Sequence, residues 1–176
     1  RAPWPDAPVA DSNTPDYCPG PFGITRPAAS GDFYLSMVAR DNGTQEAVYQ
    51  KLNQPLEAGK PYFFRMWLAM RDAPNRASSN PAKLAVMTGE IVSSQHCPLL
   101  DSLAFIDTAY VSSILKSTQW KPFTVEFTPS RDAYILVFEA QHQAPSPNGI
   151  NYDYGGVSLD HLSTIYQGSL PFVPWG

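Results

Sequence analysis

From Phe33 onward, apolar and polar side chains alternate in short runs separated by turn signals, which is the two-residue period of half-buried strands. Phe33, Leu35, Met37 and Ala39 fall on one face of a first such run, and Tyr34, Ser36 and Val38 on the other. The turn Asp41-Asn42-Gly43-Thr44 follows, and its Asn-Gly centre suits positive φ angles. A second run, Glu46 to Leu52, then predicts a hairpin with the first. Pro61 to Arg71 forms a long third run. Its Phe64, Met66, Leu68 and Met70 share one face, and Phe63, Arg65, Trp67, Ala69 and Arg71 the opposite one, whose arginines point to solvent at its ends.

Further along, Ala82 to Thr88 reads as a short strand, and 89–118 leaves open a helical turn near 98–104 and a strand near Tyr110 to Ile114. Gln119 to Thr128 alternates with Phe123, Val125 and Phe127 inward. Ala133 to Ala140 has few polar breaks and predicts a central strand; Gly155 to Tyr166 is the last run. Residues 1–31 show no periodicity. About eight antiparallel strands with turns every 8–12 residues predict an all-β sandwich or barrel. The expected organisation is an irregular arm at 1–32, a β-sandwich at 33–166 and an apolar arm at 167–176.

Composition narrows the function classes. The chain has 176 residues, enough for one domain with a substantial core. Only 16% are charged and the net charge is −4, which offers no basic footprint for nucleic acid. No apolar run approaches the ~20 residues of a membrane-spanning helix. The first residue is Arg1 rather than Met, so a cleaved secretion signal is expected, with a trimmed chain as the plainer alternative. Two cysteines in such a chain, Cys18 and Cys97, predict one disulfide closing a loop of about 80 residues, worth ~4 kcal/mol in the chain-entropy view. A pair of unrelated buried thiols is the other reading.

Several segments carry a resemblance: YLSMVARDNGTQEAVYQKLNQPLEAGKPYFF (34–64), PAKLAV (81–86), TQWKPFTVEFTP (118–129), YGGVSLDHLSTI (154–165) and TPDYC (14–18). Together they resemble the galactose-binding-like jelly roll, the fold of many carbohydrate-binding modules. More narrowly, they are similar to secreted domains of Bacteroidota surface proteins. The resemblance implies a jelly-roll β-sandwich at the cell surface or outside it. It also implies a first strand with an Asn-Gly-Phe-Glu-like run, which this chain lacks, so that strand is expected either to be cut away or to come from another chain. A structural Ca²⁺ is implied near Asp160, which matches the family position on the last strand, with Asp32 in the loop before Phe33. Hydrogen-bonded or solvated aspartates are the alternative, and no other cofactor is expected. Asp101-Ser102-Leu103 and Asp107-Thr108-Ala109 resemble short O-glycosylation signals, and Asn42-Gly43-Thr44 is an N-glycosylation sequon.

No nucleophile elbow, zinc-binding His pair, phosphate loop or Cys-x-x-Cys motif occurs, so the chain is read as no enzyme, a hydrolase being the third choice. Sugar binding needs aromatic platforms beside amides and carboxylates. Tyr152 and Tyr154, with Asn148, Asn151 and Asp153, meet that need in the 145–154 loop. The ends RAPWPDAPVA and GSLPFVPWG are apolar, aromatic and Pro-rich, unlike disordered tails. Trp4, Phe172, Val173 and Trp175 are therefore expected to dock, on the same domain or on a neighbouring copy. The leading expectation is a non-catalytic surface subunit that assembles with copies of itself or with other surface proteins, as in a fibre. A carbohydrate-binding module is the alternative.

Overall fold

The structure is a computed structural model. It describes residues 16–20, 23–40, 45–73, 80–92, 103–142 and 154–170. Ten strands form: β1 (Asp16–Cys18), β2 (Tyr34–Arg40), β3 (Ala47–Leu56), β4 (Tyr62–Met70), β5 (Ala82–Ile91), β6 (Leu103–Val111), β7 (Lys121–Phe127), β8 (Ala133–His142), β9 (Tyr154–Asp160) and β10 (Tyr166–Gln167). The described residues contain no α-helix. One sheet runs β1-β2-β9-β4, with β7 and β10 also paired to β4; the other runs β3-β8-β5-β6. All strand pairs are antiparallel. The chain passes repeatedly from one sheet to the other, giving a jelly-roll sandwich.

The core lies between the sheets. Leu35, Met37, Phe64, Met66, Leu68, Val157 and Leu159 from the first sheet meet Val48, Leu84, Val86, Leu136 and Phe138 from the second. Phe64 and Phe138 touch edge to face across the sandwich, with centroids 6.1 Å apart. Those of β2 and β4 are the inward positions that alternation assigns, and β8 is central in its sheet, between β3 and β5, as its few polar breaks predict.

Four local expectations need correction. β2 and β3 are not a hairpin: they lie in different sheets, and β2 is bridged at Ala39 to Gln45, ahead of β3. Glu46 makes the corner. Its N–H donates to Val38 O (2.9 Å), its carbonyl accepts from Ala140 N (3.0 Å), and its buried carboxylate accepts from Val38 N (2.8 Å). Those bonds spread over both sheets, which a hairpin turn would not allow. Asp16–Cys18 is a strand, paired with β2, within the stretch expected to be irregular. The ambiguous 89–118 region gives a long β5 and β6 with irregular register, and its strand is Leu103–Val111 rather than one near Tyr110 to Ile114. The last run is broken: His161 adopts φ 49°, 161–165 continue along β4, and β10 follows.

The outward face of the β2-β9-β4 region is covered too, by residues 23–30. Tyr34, Ser36, Ser158 and Ala69 lie on it and are buried. Arg71, expected at solvent, is only 3% exposed. Ile24 and Ala28 pack with Cys18, Tyr34, Ala73 and Trp120. The Arg26 guanidinium lies over the Trp120 ring (4.4 Å) and the Tyr34 ring (5.2 Å), and its Nη1 donates to Met70 O (3.0 Å) and to Thr118 O. Trp120 Nε1 donates to Pro27 O (3.0 Å). Burial pushes the Tyr34 phenol up, and the neighbouring Arg26 opposes this. Asp160 closes the clamp: Oδ2 accepts from Ala29 N (2.6 Å) and Ser30 N (3.0 Å), and Oδ1 from His161 N (2.6 Å).

Two stability outcomes follow from this packing. Asp160→Asn puts an amide group where three N–H donors converge. It is expected to lower unfolding free energy by about 1.5–3 kcal/mol, read by urea titration. A Cβ at Gly155 would meet Pro81 O at 2.7 Å and Ala82 Cβ at 2.9 Å. Gly155→Ala is therefore expected to cost about 1–3 kcal/mol and to lower the melting temperature.

Candidate functional site

β4 builds the site because its two faces do different work. Phe64, Met66 and Leu68 are locked in the core, so Phe63, Arg65 and Trp67 must stand on the outward face. Successive members of that row are two residues apart, so Phe63 and Trp67 are separated by ~13 Å along the strand. The covering segment ends near Asp160, which pairs with Trp67 in register. Beyond that point the outward face opens into a groove of about 540 Å³.

Its floor is Phe63, Arg65 and Trp67; Pro122 of β7 and His161, Ser163 and Tyr166 of the broken last run supply its walls. Phe63 and Tyr166 stack with centroids 5.3 Å apart and planes at 24°. Tyr166 remains 51% exposed, so that ring pair offers an apolar surface to solvent. Arg65 is half-buried and its backbone is pinned: Arg65 N donates to Ser163 Oγ and Ser163 N donates to Arg65 O, both at 2.9 Å. On the other side Arg65 pairs with Thr124 of β7. The result is a shallow trough with rings at both ends and polar groups between.

Most site residues expected from the sequence lie away from this groove or outside the described residues. Tyr154 opens β9 opposite Arg40, six residues from Asp160 and so ~20 Å along the strand from the groove end. Asn148, Asn151, Tyr152 and Asp153 lie outside the described residues, as do Trp4, Phe172, Val173, Trp175, Asn42, Ser102 and Cys97. Cys18 is fully buried. Thr108 is exposed on β6. Of the two aspartates considered for Ca²⁺, Asp32 is exposed and Asp160 directs both oxygens at backbone N–H groups. Among the described residues no group of three or more His, Cys, Asp or Glu side chains is arranged to hold a metal. Both Asp160 oxygens are thus accounted for by backbone N–H groups, the hydrogen-bonded alternative to a metal ligand.

The groove itself was not among the sites expected from the sequence. Its signal is the alternation that sets Phe63, Arg65 and Trp67 on the outward face of β4. An outward row with two large rings exceeds what a solvated face needs.

No protein-family model matches the chain, and no curated protein matches it in sequence. Solved structures do match in shape. The CBM22-1 xylan-binding domain of Xyn10C from Paenibacillus barcinonensis superposes with a TM-score of 0.57 at 10% identity, over 92% of this chain and 85% of that one. The CBM22-2 xylan-binding domain of the same protein gives 0.54 at 10% identity, over 92% and 91%. The K3 adhesin domain of Lys-gingipain from Porphyromonas gingivalis W83 gives 0.48 at 13% identity, over 82% and 79%. At such identities the likeness to the two xylan-binding domains speaks to architecture, and it agrees with the topology above: the chain has the jelly-roll β-sandwich fold seen in carbohydrate-binding modules.

Proposed function

We propose that this chain is a non-catalytic carbohydrate-binding module of an extracellular protein, taking a polysaccharide in the groove over β4. The observation that carries the reading is the ring-ended trough of Phe63, Tyr166 and Trp67 with Arg65, His161 and Ser163 between them. Sugar rings present C–H faces that pack on aromatic surfaces, and hydroxyls that need donors and acceptors nearby; the trough supplies both. Two solved structures with this fold are xylan-binding domains by name. Pairing of β4 on both sides, with β7 and with β9 and β10, holds the rings in place before binding, which limits the ordering cost of a weak, extended contact.

Self-assembly through the terminal arms is the leading expectation from the sequence. Its residues, Trp4, Phe172, Val173 and Trp175, lie outside the described residues, and no described feature favours it over glycan binding. The 145–154 loop, the sugar-binding site expected from the sequence, likewise lies outside them apart from the Tyr154 backbone.

Affinity electrophoresis against soluble plant and microbial polysaccharides, xylan included, checks the reading. Binding to at least one class is expected, and Trp67→Ala is expected to weaken it by about ten-fold or more while the far-ultraviolet spectrum is kept. Silence across all classes, or full binding by the Trp67→Ala protein, would overturn it.

A further inference from the structure

We infer that the covered outward face of the first sheet holds a buried water-binding site between Ser36 of β2 and Ser158 of β9, where an ordered water molecule bridges the two hydroxyls. The site stands on the covered side of Asp160, apart from the groove over β4, and does not depend on what the groove binds.

Register brings the two serines together. Ser36 and Ser158 are direct partners across the β2–β9 ladder, and Ala69 of β4 is the partner of Ser158 on its other side. Small side chains therefore lie side by side in one row across the sheet. The rows flanking it carry larger groups on the same face. Tyr34, Asp160 and Trp67 stand on one side of it, and Val38 and Arg71 on the other. The row is thus a recess in the sheet surface, and the covering layer roofs it: both serines are 0% exposed.

Neither Ser36 Oγ nor Ser158 Oγ has a hydrogen-bond partner within the protein. Buried polar groups are almost always paired, so two orphaned hydroxyls on facing residues call for a shared partner. The charged groups that flank them do not serve: Arg26 Nη1 donates to Met70 O and Thr118 O, and Asp160 accepts from three backbone N–H groups. Facing residues of an antiparallel pair have Cβ atoms about 4.5–5.5 Å apart. At that spacing the two oxygens need not touch, and here they do not. A water about 2.8 Å from each spans the gap. A serine hydroxyl both donates and accepts, so the bridge forms whichever way either rotor turns. A buried water needs at least two polar partners, and the pair supplies them. Two neutral hydroxyls bring no charge to hold an ion, which leaves water as the ligand.

A crystal structure of the intact protein, at a resolution that shows ordered water, tests the site. A density peak about 2.7–3.2 Å from both Oγ atoms is expected. Direct contact between the two oxygens, or no peak between them, overturns the site. Ser36→Ala and Ser158→Ala give a second reading in solution, by thermal unfolding. A hydroxyl bonded to a held water is lost at a cost, so each variant is expected to lower the melting temperature by about 2–4 °C. Removing an orphaned hydroxyl brings no such loss, so an unchanged or raised melting temperature in either variant overturns the bridge. The crystallographic reading uses the unaltered protein and stands whatever the variants do.

Discussion

The clamp formed by Arg26 and Asp160 is the constraint from which the rest of this molecule follows. A two-sheet sandwich ordinarily leaves its outward faces to water. Here residues 23–30 lie across the outward face of β2, β9 and β4, and that layer has to bring polar groups inside with it. Arg26 is met by two carbonyl oxygens and two ring faces; Asp160 is met by three backbone N–H groups. Hydrogen bonds to a charged group are each worth ~1.5–3 kcal/mol, and removing one partner costs the desolvation of the other. The covering layer is therefore tied to the sheet at two ends by interactions that tolerate little displacement.

Where the layer stops decides where the groove begins. Asp160 takes the last N–H groups of the covering segment and also the N–H of His161, the residue at which β9 leaves its regular course. One carboxylate thus ends the lid on one side and starts the groove wall on the other. The break at His161 then lets Ser163 bond Arg65 and brings Tyr166 against Phe63. Had β9 continued as a regular strand, its side chains would have alternated past β4 without that contact.

β4 carries both halves of this arrangement. Its inward side chains are the centre of the core, and its outward ones are the floor of the trough. Rings on so constrained a strand are set in advance by packing on the other face, which is the condition a shallow binding surface needs when each contact is weak.

Much of the framework is legible in the amino-acid sequence. The period of two in 33–39, 61–71 and 119–128 determines which side chains face the core there, because alternation is a property of the extended backbone itself, and the mostly apolar run at 133–140 marks a central strand. That property also places Phe63, Arg65 and Trp67 on one face. It does not say what lies opposite that face. Whether β2 pairs with β3 or crosses to the other sheet, and whether an outward row meets water, a covering segment or a ligand, depends on contacts between residues far apart in the chain. Arg26 meets Thr118, Ala29 meets Asp160, and Phe63 meets Tyr166 only once the sheets have closed, and no local pattern encodes such meetings.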